Sequence, residues 1–106
     1  MRTGLKPATK SESRRIAIIK RDVGCIACYI EHGVMGTEAD AHHLLSGGRR
    51  ISHSHTIPLC PACHTGPNSI HKRKQWFRDL YGTDDELLDR TDALVKQFES
   101  NTVGAL

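Results

Sequence analysis

Apolar residues recur at helical spacing near the start of the chain. The segment KSESRRIAIIKRDVG predicts a helix from about Ser11 to Asp22. Its apolar side chains lie roughly on one face, formed by Ile16, Ile19 and Val23. Gly24 directly follows and is a typical helix stop.

Two further helices are predicted in the C-terminal third of the chain. One runs from about Ile70 to Tyr81, and we expect it to bury a broad apolar face formed by Trp76, Phe77 and Leu80. The next helix opens at the capping-box pattern Thr83-Asp84-Asp85-Glu86. Its core-facing positions at helical spacing are Leu87, Leu88, Thr91, Leu94, Val95 and Phe98.

The middle of the chain predicts a hairpin between two short turns that each contain a CxxC motif. ADAHHLL (39–45) and HTIPLC (55–60) are typical of short strands, with the polar turn SGGRRISHS (46–54) between them. YIEHGVMGTE (29–38) is expected to be a loop, with His32 on the surface. The predicted order is helix, CxxC turn, hairpin, CxxC turn, helix, helix.

Composition and charge narrow the class of protein. The 106 residues are 38% hydrophobic and 5% aromatic, a thin supply for a core, so we expect a bound metal to help hold the fold. Residues 1–9 are predicted to form a flexible arm and residues 10–106 a single domain. The chain shows neither a membrane-length apolar run nor a signal peptide, which favours the cytoplasm, where cysteines stay reduced.

The net charge of +3 is unevenly distributed. Residues 1–78 carry 13 Lys and Arg against 5 Asp and Glu, whereas residues 79–106 carry 2 against 7. A basic body favours an anionic partner, nucleic acid first, although ordinary charge clustering on a solvated surface is the alternative. The acidic C-terminal segment would repel DNA and is expected to pack on the domain or to contact a protein partner.

Four cysteines form two CxxC pairs, Cys25 with Cys28 and Cys60 with Cys63. In a small cytoplasmic domain this pattern predicts one tetrahedral structural Zn²⁺ bound by four thiolates. The alternatives are a redox motif, which usually has a single CxxC, and two pairs of buried apolar cysteines.

The adjacent pair His42 and His43 lies between the CxxC motifs, and His64 directly follows the second one. Neighbouring residues of a strand point to opposite sides, so one imidazole can bind a metal while the other faces a different reactant. Hydrolysis of a phosphodiester needs both a cation on the phosphate and a base for the attacking water.

The order of these motifs resembles that of HNH (ββα-metal) endonucleases, and more closely the phage Ref-type, RecA-dependent nucleases. The resemblance covers Cys25 to roughly Tyr81. It rests on HHL (42–44), SH (52–53), TIPLCP (56–61), IH (70–71), Phe77 before Tyr81-Gly82, and ELL (86–88).

The resemblance implies roles for individual residues. His42 and His64 would bind a catalytic Mg²⁺ or Mn²⁺, and His43 would be the general base. His71 would be a third ligand or a contact to the leaving group, and contact with a phosphate or a helix N-terminus is its simpler interpretation. His64 could instead be a zinc ligand in place of a cysteine.

The resemblance leaves one supporting position open. His55 stands where HNH motifs commonly have their middle Asn, and His53 competes for that role. Phosphate contacts are expected from basic residues beside the hairpin and the following helix, namely Arg49, Arg50, Lys72, Arg73 and Lys74.

The sequence therefore predicts a small α+β domain of the HNH type, held together by zinc and flanked by N- and C-terminal helices. The expected function is metal-dependent endonucleolytic cleavage of DNA. The resemblance, and not the composition or spacing, further implies that a RecA filament directs the cut in recombination, in the cytoplasm of a bacterial host if the gene is phage-borne. The alternative is a non-catalytic zinc module that binds DNA or a recombination protein. A zinc-dependent deaminase is disfavoured, because the His-x-Glu pair that it needs is absent near the cysteines.

Overall fold

The computed structural model describes residues 7–46, 49–50 and 52–104. The helices are α1 (Lys10–Ile18), α2 (Ile26–His32), α3 (Pro61–Thr65), α4 (Lys74–Tyr81) and α5 (Asp84–Gly104). The strands are β1 (Asp40–His43), β2 (Leu45–Ser46), β3 (Arg49–Arg50) and β4 (Thr56–Leu59). No helix in these ranges is long and apolar enough to cross a membrane.

The central sheet pairs β1 with β4 in antiparallel register, and β2 with β3 extends the hairpin. His42 lies opposite Ile57, and His43 lies opposite Thr56. All four residues of β4 are buried, because α2 and α5 both pack against it. The predicted α+β class with flanking helices is confirmed.

The first helix forms as predicted and is continued by one π-helical turn, Ile19–Val23. A capping box that the sequence analysis missed starts it: the Thr9 hydroxyl accepts from the amide of Glu12, whose carboxylate accepts from the amide of Thr9. Ile19 and Val23 of the predicted apolar face are fully buried, whereas Ile16 is only partly buried. Gly24 ends the helix with a φ of 73°.

The loop predicted at residues 29–38 is wrong in its first part, since α2 continues to His32. The Cys25 sulfur accepts a hydrogen bond from the amide of Cys28 and caps this helix. Ile26 and Ala27 are buried and anchor it on the core. The loop starts at Gly33, which has a left-handed φ of 69°.

The helix predicted from Ile70 begins only at Lys74. The side chain of Ser69 accepts from the amide of Lys72, and its carbonyl accepts from the amide of Arg73, so residues 69–73 form turns. The predicted apolar face is also partly wrong. Phe77 is fully buried, but Trp76 is 37% and Leu80 50% exposed.

Helix α5 packs against β4 and against the π-helical turn Ile19–Val23. The predicted capping box is confirmed: Thr83 and Glu86 exchange backbone-to-side-chain hydrogen bonds of 2.8 and 3.2 Å. Its predicted apolar positions all contribute to the core, with Leu87, Thr91, Leu94 and Val95 buried and Leu88 and Phe98 partly buried. The acidic segment is therefore attached to the domain through its apolar face.

Candidate functional site

The two adjacent histidines of β1 point to opposite sides of the strand, as the alternation of side chains requires. His42 faces His64 and His71, whereas His43 faces His53. The structure thus divides the histidine pair between two distinct groups.

The first group, the histidine cluster, consists of His42, His64 and His71. Strand β1, helix α3 and the turn before α4 each supply one of them. One nitrogen of each ring lies within 4.8 Å of the others, and the ring centroids are 5.0 to 5.1 Å apart. Three imidazoles at this spacing can converge on one metal ion. Because their donor atoms are nitrogens, the cluster suits a transition-metal ion better than Mg²⁺, which prefers oxygen ligands.

Two members of the histidine cluster, His42 and His71, favour the neutral imidazole. Burial lowers the pKa of His42 to about 4, and the neighbouring His64 and His71 add to this effect. Burial and His64 also lower the pKa of His71. The neutral ring is the form that coordinates a metal, so the cluster requires no proton release from His42 at neutral pH.

Asp40 lies beside the histidine cluster and was missed in the sequence. Its Oδ2 atom is 3.5 Å from Nδ1 of His64. A carboxylate next to a metal-binding imidazole orients the ring and fixes its tautomer. Asp40 stands two positions before His42 and therefore on the same face of β1, which is a signal that the sequence did contain.

The second group is the pair of His43 and His53. Nε2 of His43 lies 3.0 Å from Nδ1 of His53, and the two rings meet edge to face. His55 has a different position: its Nδ1 is 2.7 Å from the hydroxyl of Ser52, and its carbonyl accepts from the amide of Leu44. His53 therefore touches the predicted base, whereas His55 braces the loop.

A cavity of about 240 Å³ opens beside the histidine cluster. It is lined by His42, Leu45, Ile70, His71, Lys74, Arg78 and Asp84. The predicted phosphate contact Lys74 is among these residues. Lys72 and Arg73 are not among them: Lys72 is exposed, and the guanidinium of Arg73 lies 4.9 Å above the ring of Trp76.

Arg78 is a second basic residue of this cavity that the sequence analysis did not single out. It stands one helical turn after Lys74, so the spacing alone would place both on one face of α4. Its Nη2 atom is 3.4 Å from Oδ2 of Asp84. Its Nε atom is buried and, among the described residues, has no hydrogen-bond partner. The side chains of Arg49 and Arg50, also predicted as DNA contacts, lie outside what the structure describes.

The four cysteines form a second cluster, next to the core. Cys25 caps α2, Cys60 caps α3, and each CxxC motif supplies its second cysteine from the first turn of the helix that follows. All four are free thiols, and their sulfur atoms lie within 4.8 Å of one another. A hydrogen bond from Cys63 lowers the pKa of Cys25 to about 5, whereas burial and the charge of Cys25 raise that of Cys28 to about 12.

This cysteine cluster fits a tetrahedral metal ion. Four thiolates around Zn²⁺ at about 2.3 Å from the ion stand roughly 3.8 Å from each other. The sulfurs of Cys28 and Cys60 are 3.9 Å apart. The four cysteines could therefore hold a structural metal such as zinc.

A family model described as "Recombination enhancement, RecA-dependent nuclease" matches residues 8–73, more than half of the chain. The chain belongs to this family. Membership assigns it a nuclease role in recombination. The match to the RecA-dependent nucleases includes the histidine cluster, the cysteine cluster and the His43–His53 pair, whereas Lys74, Arg78 and helix α5 lie beyond it.

Proposed function

We propose that this protein is an HNH-type, metal-dependent endonuclease that hydrolyses phosphodiester bonds of DNA. The observation that carries the proposal is the division of His42 and His43 between two groups on opposite sides of one strand. A nuclease of this type needs a metal-binding imidazole and a proton-accepting imidazole close together but facing different atoms.

His43 is the proposed general base. Its Nε2 atom lies 3.0 Å from Nδ1 of His53. In the tautomer in which Nε2 carries the hydrogen and donates it to His53, Nδ1 is the basic nitrogen of the His43 ring. The proton it accepts would come from the water that attacks the phosphorus in line. His53 would hold the ring in that tautomer, and it thereby takes the supporting role for which His53 and His55 both competed.

The histidine cluster is the proposed site of the catalytic ion, with His42, His64 and His71 as protein ligands. A divalent cation bound there supplies polarisation of the phosphate and stabilisation of the leaving 3′-oxygen. Of the two ions that the resemblance implied, Mn²⁺ fits three nitrogen donors better than Mg²⁺. Asp40 would orient His64, since it lies at its Nδ1 atom.

The cavity beside the histidine cluster is the proposed path of the DNA backbone. Lys74 and Arg78 line it together with His71, and both cations can contact phosphate oxygens without reading the base sequence. The side chain of Asp84 would partly compensate the charge of Arg78 until DNA is present. Arg49, Arg50, Lys72 and Arg73 remain proposed contacts further along the strand.

Zn²⁺ is the proposed occupant of the cysteine cluster, with a structural role. The four thiolates fix the starts of α2 and α3, and α3 also holds His64. Loss of the metal would therefore also displace a ligand of the catalytic ion.

The proposed partners are DNA and a RecA filament that directs the cut. The family description names the dependence on RecA. A filament of RecA on single-stranded DNA, compared with naked plasmid, therefore belongs in any assay of this protein.

The deciding experiment measures nicking of plasmid and of RecA-bound DNA with Mn²⁺ or Mg²⁺. We expect cleavage by the wild type and by His32→Ala, a control on an exposed histidine, but not by His43→Ala or His42→Ala. Binding of DNA without cleavage under all these conditions would favour the alternative, a non-catalytic zinc module. Equal cleavage by wild type and His43→Ala would refute the assignment of the base.

A further inference from the structure

A buried arginine of the N-terminal helix is connected to the His43–His53 pair. Arg15 is only 12% exposed at its side chain. Its Nε and Nη2 atoms both donate to Thr56, at 3.2 Å to the hydroxyl and 2.6 Å to the carbonyl. Its Nη1 atom lies 2.6 Å from a carboxylate oxygen of Asp92 on α5.

Thr56 continues the connection toward the site. It is fully buried, and in the sheet it lies directly opposite His43. Its hydroxyl donates to the carbonyl of His53 at 3.0 Å while it accepts from Arg15. The hydroxyl therefore uses its hydrogen and one lone pair to join the arginine to the backbone of His53.

We propose that Arg15 is a positioning residue that holds His53 against His43 through Thr56. The catalytic part of this inference rests on the proposed function, in which His43 is the base. Asp92 fixes the guanidinium from the opposite side, so that α1, α5 and β4 together determine where the residue-53 backbone lies.

Two features distinguish this role from the alternatives for a basic residue. Each of the three guanidinium nitrogens donates within the protein, which favours a positioning role over contact with a phosphate even though Arg15 belongs to the basic part of the chain. The Asp92 side chain of the ion pair is about half-exposed, so the pair contributes little stability by itself. The two hydrogen bonds from the guanidinium to Thr56 are the contacts that a lysine cannot reproduce.

A double-mutant cycle tests whether Arg15 acts through His53. We expect Arg15→Met to lower kcat for DNA nicking at least fivefold with KM changed less than twofold. In a His53→Ala background, the same substitution should have almost no further effect, because the imidazole ring that Arg15 positions is no longer present. An equal loss of kcat in both backgrounds would overturn the proposal and leave Arg15 as a general structural residue.

Variants of Thr56 and of a neighbouring arginine serve as controls. Thr56→Ser keeps the hydroxyl and should retain kcat, whereas Thr56→Val should reproduce the loss seen in Arg15→Met. Arg14→Met removes an exposed cation from the same helix and should leave kcat unchanged. If Arg15→Met fails to fold, Arg15→Lys and Asp92→Asn enter the cycle in its place.

Imidazole NMR signals provide a readout that does not depend on catalysis. Arg15→Met and Thr56→Val should shift the ring signals of His53 and His43 and leave those of His32 in place, while Arg14→Met shifts none of them. If the wild type cuts no DNA but these shifts occur, the proposed function fails and the positioning of His53 stands. Unmoved His53 and His43 signals in both variants would refute the positioning role.

Discussion

Nε2 of His43 lies 3.0 Å from Nδ1 of His53, while the preceding residue, His42, faces away from both. This contact is the reason for proposing His53, and not His55, for the supporting role that the sequence left open between them. It also makes the roles separable by mutation, because His53 and His55 lie in the same loop but touch different partners.

We expect His53→Ala to lower kcat about 10- to 100-fold, because general-base catalysis contributes roughly 10²- to 10⁴-fold and the base would keep only part of it when its tautomer is no longer fixed. His55→Ala should reduce kcat much less, since its ring contacts Ser52 instead of His43. Steady-state nicking rates with both variants provide the measurement. A larger loss in His55→Ala than in His53→Ala would reverse the assignment.

We expect one tightly bound Zn²⁺ per chain and cooperative unfolding when it is removed. Structural zinc sites contribute about 10–16 kcal/mol, as much as or more than the roughly 5–15 kcal/mol of net stability of a typical domain. Elemental analysis measures the bound Zn²⁺. Circular dichroism follows unfolding while a strong chelator removes the metal. Cys63→Ser should reproduce the effect, and a chain that stays folded without metal would contradict it.

The sequence predicted which side chains come together better than it predicted what supports them. The grouping of the four cysteines, the alternation of His42 and His43 along the strand and the capping box at Thr83 depend on neighbours in the chain, and all of these were predictable. The helix start at Lys74 was missed because the side chain of Ser69 stabilises a competing turn. The burial of Trp76 and Leu80 was wrongly predicted, because an apolar helix face does not show how much of it the neighbouring elements cover. The hydrogen bonds from Arg15 to Thr56 join residues 41 positions apart, and no local sequence pattern predicts such a contact.

The low pKa of His42 has a consequence for stability against pH. Its folded value of about 4 lies below its ordinary value of 6.5, so the unfolded chain binds the proton first and stability falls as the pH drops from about 6.5 to 4. Because the His42 ring is only partly buried, solvent screening reduces this loss, and we expect the free energy of unfolding to fall by about 1–2 kcal/mol.

Urea unfolding at a series of pH values measures this fall in the free energy of unfolding. The His42→Asn protein should lack this component, although both proteins lose zinc binding in acid. Parallel curves for the two proteins would contradict the prediction.

The ion pair between Arg78 and Asp84 predicts that substitutions of the two residues change DNA affinity in opposite directions. Arg78→Met should weaken binding about 5- to 30-fold, the equivalent of roughly 1–2 kcal/mol for one charged hydrogen bond, and lower the slope of log K against log salt by about one. Asp84→Asn should strengthen binding because it frees the guanidinium. Asp85→Asn removes the same charge from the first turn of α5 without touching that pair, and it is the matched control. Equal affinities for Asp84→Asn and Asp85→Asn would show that the ion pair does not restrain Arg78.

Two glycines with nearly the same φ predict very different costs of substitution. Gly33 has a φ of 69° and a ψ of 18°, so alanine there adopts the left-handed helical conformation, which costs roughly 1–2 kcal/mol. Gly24 has a φ of 73° but a ψ of −170°, a conformation that is essentially restricted to glycine. At Gly24 a Cβ would also stand 2.4 Å from the backbone nitrogen of Thr37, whereas at Gly33 nothing lies within 4 Å. We therefore expect Gly33→Ala to cost about 1 kcal/mol and Gly24→Ala about 3 kcal/mol or more, because backbone on both sides of Cys25 has to move. Urea unfolding of the two zinc-loaded variants makes the comparison. Equal losses would mean that neither the backbone conformation of Gly24 nor its close approach to residue 37 constrains the segment before Cys25.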